Sequence, residues 1–418
     1  MNIQKGNCII GQSGGPTAAI NASLSGVLQC ILENGLYDKV YGMVNGIEGL
    51  LQGKYLDLSS IFTTKESLDK LTNTPAMYLG SCRFKLPTCE HSEDVYTILF
   101  DFFETHHITT VFYIGGNDSM DTVLKLSAYA KENNKEINVI GIPKTIDNDL
   151  PITDHTPGFG SAAKYVATSL LEIAHDTYIY NIPSVTIVEI MGRNAGWLTA
   201  AAALARTEYS PAPDLIYLPE VPFNMERFIE DVKEIQKTRK NVIVAISEGI
   251  KNDKGEYISA SSSSVDAFGH KQLCGAGKTL ENTLKDALKC KVRSVELNVL
   301  QRAGGHIASL TDLNESVAIG KVAALAGAEG ETAKMLCYKR TSNVPYQTEI
   351  FSYDIHQIAN LEKTVPTEWI SEKGNNITEE FMAYLRPLIE GETTLRFENG
   401  IPAFANIRHL HDKTFFKK

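Results

Sequence analysis

Short apolar runs alternate with longer helical patterns along this chain, and few folds accept that order. NCIIG (7–11), KVYGMV (39–44), TTVFYIGG (109–116), NVIGI (138–142), SVTIVEIMG (184–192), DLIYLPE (214–220), NVIVAISEG (241–249) and KVRSVELNVL (291–300) read as strands. Between them lie stretches of helical spacing at about 17–33, 93–106, 119–133, 161–175, 195–206 and 225–240. Strands alternating with helices predict mostly parallel sheets with helices on both faces. Such strands are buried on both sides, which accounts for their nearly continuous apolar runs. The chain has 418 residues, too many for one ordinary core, so two lobes are expected.

In open α/β sheets, ligands sit beyond the carboxyl ends of the strands. The polar clusters fall there: GQSGGPT, GGNDS, PKTIDND, MGRNAG and SEG each follow a strand-like run. Five loops on one edge would make a single cleft. In GQSGGPT, glycines at 11, 14 and 15 let the backbone bend before a helix N-terminus, which suits a phosphate; a tight turn without a ligand is the other reading. In GGNDS, Gly116 permits close approach, and Asn117 and Asp118 bring oxygen atoms suited to Mg²⁺ or a phosphate-bound water. Asp118 or Ser119 also fits as a helix N-cap.

PKTIDND sets a harder question, because two carboxylates and a lysine stand at the mouth of a strand that reads as buried. Charges near a core are costly unless they are paired or used. Lys144 suits a phosphate and Thr145 is a neutral donor. Asp147 and Asp149 are two apart, so an extended segment would aim both into one cleft. One of them can take a proton from an alcohol. A phosphoryl transfer needs positioned phosphates, a cation and such a base. Arg83 sits in the glycine-flanked loop YLGSCRF, and Glu248 ends a strand. Arg293 and Arg302, nine apart, read as a clamp for a phosphate already on the substrate.

Other motifs carry less. GAGKT (275–279) resembles the tail of a P-loop, but Gln272 stands where that pattern needs glycine. Cys82, Cys89 and His91 lack a second ligand pair for a metal. The run SASSSS (259–264) reads as an exposed loop. Seven cysteines without CxxC spacing read as reduced thiols of a cytoplasmic protein, and the first residues do not read as a signal peptide. Net charge is −10, which argues against general binding to nucleic acid or an anionic membrane. Hydrophobic residues make up 43%, yet no run is long enough to span a bilayer.

Taken in order, GGNDS, PKTIDND, MGR (191–193), SEG and QR (301–302) resemble the phosphofructokinase family. The resemblance implies two Rossmann-like α/β lobes with the active site in the cleft between them. It divides the chain into a phosphate-donor lobe at 1–157, joined by part of about 303–340, a sugar-phosphate lobe at 158–302, and a C-terminal extension at 341–418. It implies phosphorylation of the 1-hydroxyl of fructose 6-phosphate, with Mg²⁺ as cofactor, in a homodimer or homotetramer. Asp147 would be the general base, Thr145 and Asp149 would support the transferring group and metal, and Arg83 would bridge phosphates of donor and product. Ile146, Met191, Gly192, Arg193, Glu248 and Gln301 would hold the sugar, and Arg293 and Arg302 its 6-phosphate. Gly15, Gly116, Ser119 and Lys144 would face the donor.

Asp118 and Lys144 resemble the branch of the family that uses pyrophosphate, where ATP-using members carry glycine at both places. An aspartate fills the space of a nucleotide's α-phosphate and repels it, and a lysine suits a compact polyanion. Departures from the family pattern are Asn117 in place of a metal-binding aspartate, Ser184 in place of an arginine that reaches a neighbouring subunit, and Val299 in place of a sugar-contacting histidine or tyrosine. They imply a looser sugar pocket, with sedoheptulose 7-phosphate as a second substrate. An ATP-dependent member and a sugar-phosphate sensor without catalysis are the competing readings.

Overall fold

Strands β1 (Asn7–Gln12), β2 (Val40–Met43), β3 (Tyr55–Asp57), β4 (Ile108–Gly115), β5 (Asn138–Pro143), β6 (Ser184–Ile190), β7 (Leu215–Tyr217), β8 (Asn241–Ser247), β9 (Lys291–Glu296), β10 (Lys334–Asn343) and β11 (Tyr346–Asp354) build two sheets. The computed structural model describes residues 6–258 and 275–412, so the serine run at 259–264 lies outside the described residues. The larger sheet has the order β11-β10-β5-β4-β1-β2-β3, and the smaller β7-β8-β6-β9. All pairings are parallel except β2 with β3 and β10 with β11. The two-lobe α/β architecture expected from the alternation is therefore present.

The register shows why the strands lack polar alternation. Ile10, Phe112 and Ile140 lie side by side and feed one core, while Ile9, Val111 and Val139 feed the core on the opposite face. In the smaller sheet, Val188 and Ala245 pair toward one core, and Ile187 and Val244 toward the other. Apolar area on both faces leaves water, which is the main source of stability for such layers.

Helices form where caps and periodicity agree. The helix Met225–Gln236 starts at Asn224, whose side chain accepts from the Arg227 N–H at 2.9 Å, and it buries Phe228 and Val232. The stretch expected as one helix at 195–206 divides into an α-turn, Trp197–Ala200, and a 3₁₀ segment, Ala201–Ala205. The strand expected at 291–300 stops at Glu296, and a short helix, Leu300–Ala303, follows.

Residues beyond 341, expected as an appended segment, are built into both halves. β11 closes the edge of the larger sheet. Phe381, Leu385 and Leu388 pack into a core of the smaller one. Among the described residues, no helix is long and apolar enough to cross a membrane.

Candidate active site

The loops that follow β1, β4, β5, β6 and β8 meet at one cavity of about 640 Å³. Gly15, Arg83, Gly116, Asn117, Asp118, Ser119, Lys144, Thr145, Ile146, Asp147, Asp149, Met191, Arg193, Glu248 and Arg302 line it. The lining brings four basic side chains, Arg83, Lys144, Arg193 and Arg302, together with five acidic ones, Asp118, Asp147, Asp149, Glu248 and Glu362.

The glycine loop after β1 is held by side chains. Ser81 Oγ donates to the Gly14 carbonyl at 2.7 Å, and Lys144 Nζ donates to the Gly15 carbonyl at 2.6 Å. Gly14 has φ of 83°, a left-handed conformation that favours glycine, and a Cβ there would stand 3.3 Å from Lys144 Nζ. The expected helix follows this loop, beginning at Ile20. Thr17 Oγ1 accepts from the N–H groups of Ala19 and Ile20, so a side chain occupies the first turn of the helix Ile20–Asn34.

In GGNDS neither Asp118 nor Ser119 caps the helix Asn117–Glu132. Ser119 is buried, and its hydroxyl lies 2.5 Å from that of Ser13, which ties the β4 loop to the β1 loop. Asn117, read from sequence as the metal ligand, lines the cavity. Its Oδ1 accepts from the Asn360 N–H at 2.7 Å, and its Nδ2 donates to the Leu361 carbonyl at 2.7 Å. Both amide ends are committed to the backbone of a distant segment.

The charges of PKTIDND answer one another. Burial lowers the Lys144 ammonium to about 8, against the pull of Asp147 and Asp149. Burial raises the Asp147 carboxyl above its usual range, opposed by Lys144, Thr145, Arg193 and Arg302. Burial also lifts Asp149 to about 7, and the neighbouring Asp147 and Glu362 add to the rise. Thr145 Oγ1 donates to Asp147 Oδ2 at 3.3 Å and accepts from the Asp147 N–H at 3.1 Å. The two carboxylates do share the cavity, but not by extended alternation: Asn148 between them is left-handed, with φ of 54°.

On the opposite side, Glu248 Oε1 accepts from the Gly192 N–H at 3.4 Å, and Gln301 Oε1 accepts from the Met191 N–H at 3.3 Å. Gly192 and Gln301 therefore shape the MGR loop from behind the cavity wall. Burial, then Asp147, raises Glu248 to about 7. The buried Nε of Arg193 has no hydrogen-bond partner, so the wall carries an unsatisfied donor. Arg302 reaches the glycine loop, where a Cβ on Gly15 would lie 3.3 Å from its Nη1.

A family profile described as phosphofructokinase matches residues 7–325, which contain every one of these loops. The chain belongs to the phosphofructokinase family. It is 40% identical over 404 residues to the pyrophosphate–fructose 6-phosphate 1-phosphotransferase of Halomonas elongata, covering 96% of each chain. Two solved structures of pyrophosphate-dependent phosphofructokinases align over 96% of each chain. That from Marinobacter aquaeolei has a TM-score of 0.85 at 38% identity, and that from Nitrosospira multiformis 0.87 at 35%.

Within this phosphofructokinase fold, Arg293 is not brought to the cavity of its own chain. It lies on β9 and pairs with Asp176 at 3.1 Å, so the expected clamp with Arg302 is not formed inside one chain. Ser184 begins β6, where its hydroxyl accepts from Asn241 Nδ2 at 2.8 Å. The GAGKT loop holds a carboxylate in place of a phosphate: Glu189 Oε2 accepts from the Gly277 N–H at 2.7 Å. Among the described residues, no three His, Cys, Asp or Glu side chains cluster as a metal site, which includes the Cys82–Cys89–His91 region.

Sequence reasoning missed Asn194, Asn360, Leu361 and Glu362, all of which line the cavity. Asn194 follows directly on MGR and was within reach of the motif. The other three sit in a polar stretch 243 or more residues from Asn117, with no local signal. They bridge the lobes: Asn194 Nδ2 donates to both Glu362 oxygens at 3.3 Å, and the Lys363 N–H donates to the Asp149 carbonyl at 2.6 Å.

Proposed function

We propose that this phosphofructokinase transfers a phosphoryl group from pyrophosphate to the 1-hydroxyl of fructose 6-phosphate, giving fructose 1,6-bisphosphate and phosphate, in a reversible reaction. The observation that carries the donor is Lys144. It is a buried ammonium, 2% exposed, fixed beside the glycine loop in a cavity that also holds Asp118. The corner sets one buried cation among carboxylates, and Asp118 and Lys144 fill it with side chains where the resemblance gives ATP-using members glycine. The name of the Halomonas relative supports the same donor.

Asp147 acts as the general base. Its carboxylate takes the proton as the sugar oxygen attacks the terminal phosphorus; the new P–O bond forms and the bridging P–O bond of pyrophosphate breaks, releasing phosphate. Lys144, Arg83 and Arg302 oppose the charge of the phosphates at this cavity. Met191, Arg193 and Glu248 hold the sugar, and the unpaired Arg193 Nε offers a donor to it.

Mg²⁺ fits the donor set. Asp147 and Asp149 are like charges crowded at one cavity, which a cation relieves, and Mg²⁺ takes few protein carboxylates when a substrate supplies phosphate oxygens. Those two residues would hold it with the donor, beside Asn117, whose Oδ1 accepts a single hydrogen bond. When bound, the ion neutralises phosphate charge.

The same reading makes the protein a cytoplasmic homodimer or homotetramer; six free cysteines among the described residues agree with a reducing compartment. The test is a coupled assay with fructose 6-phosphate and Mg²⁺ that compares pyrophosphate with ATP. Turnover with pyrophosphate alone is expected. Turnover with ATP alone would overturn the donor, and silence with both would overturn the activity.

A further inference from the structure

Asn148 stands between the two carboxylates of the proposed chemistry, and its side chain is fully buried. Its Nδ2 donates to the hydroxyl of Tyr384 at 2.9 Å. That hydroxyl in turn donates to the Asp154 carbonyl at 2.8 Å. One phenol therefore fastens both ends of the turn that carries Asp149.

Tyr384 is itself well fixed. It lies on the helix Glu379–Leu385, with its ring among Trp197, Trp369 and Phe381 at centroid distances of 5.6, 5.1 and 6.1 Å. The Arg340 guanidinium stacks 4.5 Å from the ring centroid and donates to the Tyr384 carbonyl at 3.0 Å. The helix lies beyond residue 325, where the family profile ends. A group from beyond the end of the family profile thus reaches the aspartate loop.

We propose that Tyr384 is a positioning residue for Asp147 and Asp149, acting through Asn148. The inference rests on the phosphotransferase reading and deepens it. A buried amide that loses its acceptor is costly, so without the hydroxyl the turn shifts to find another partner. A base displaced by a fraction of an ångström loses rate before it loses substrate affinity.

The test is a double-mutant cycle of Tyr384→Phe, which keeps the ring packing, and Asn148→Ala, read by kinetics and hydrogen exchange. Tyr384→Phe is expected to lower kcat about tenfold with the KM for fructose 6-phosphate within about twofold. In an Asn148→Ala background it should add less than it costs alone, because the Asn148–Tyr384 bond is already gone and only the bond to the Asp154 carbonyl is left to lose. Exchange of the peptide 144–155 should rise in Tyr384→Phe, while that of β8 stays unchanged. Additive losses of kcat, or a lowered Tm with kcat intact, would overturn the proposal. The exchange reading needs no turnover: unchanged exchange over 144–155 overturns the positioning role whatever the donor is, whereas an inactive wild type with raised exchange in the variant overturns only the proposed activity.

Discussion

Lys144 Nζ donates to the carbonyl oxygen of Gly15 across 129 residues of chain, so one buried ammonium joins the loops that follow β1 and β5. Replacing it with methionine keeps volume and removes the charge. Lys144→Met is expected to lower kcat/KM for pyrophosphate about thirtyfold while changing the KM for fructose 6-phosphate less than about threefold, as loss of a charge-assisted bond implies. Because burial sets the amine near 8, the KM for pyrophosphate should also rise as pH passes about 8 and the free enzyme loses its cation. Steady-state kinetics from pH 6.5 to 9 would check both.

Asp147→Ala should cut turnover by about a thousandfold and leave fructose 6-phosphate binding nearly intact, since the sugar is held from the opposite wall. Single-turnover rates with titration calorimetry separate the two effects. A variant with near-normal turnover would remove the base assignment.

Gly249→Ala should disturb the sugar wall without touching a charged group. A Cβ there would fall 1.9 Å from the Arg193 carbonyl oxygen, which is backbone and cannot swing aside. The MGR loop must move, at a cost of roughly 2 kcal/mol in stability. Denaturant unfolding should show that loss, and the KM for fructose 6-phosphate should rise more than that for pyrophosphate.

His155 provides a pH test of the fold. Its Nδ1 lies 2.8 Å from Asp154 and its Nε2 2.8 Å from Glu315. Burial works against its charge, but these two carboxylates outweigh it and raise the imidazole from 6.5 to about 9. A raised histidine contributes stability that is fully present below 6.5 and lost as pH rises through about 9. Tm should therefore fall across that window, and His155→Gln should start lower and flatten the profile. Calorimetry at matched ionic strength would show it; a wild-type profile as flat as the variant's would remove the role.

Arg83, Lys144, Asp147 and Arg302, all singled out from sequence, line one cavity; the first three lie in a glycine-flanked turn or just beyond a strand, and the α/β topology carries such loops to one edge. Asn117 shows what the motif leaves out. Its type and position suit a ligand, but it also bonds Asn360 and Leu361, which no local pattern announces. Arg293 shares the basic character of Arg302, yet its place on β9 turns it toward Asp176.

The sequence by itself determined eight of the eleven strands of the two sheets, the main helices between them and the polar chemistry at the strand ends, because apolar periodicity and turn residues act over a few neighbouring positions; β3, β10 and β11 were not legible in it. Only the tertiary structure decided which of those polar groups stay available to a ligand. Lys363 and Tyr384 join the aspartate loop, and Asn360 joins the loop after β4, through hydrogen bonds between residues more than two hundred positions apart, and such pairings follow from packing the whole chain.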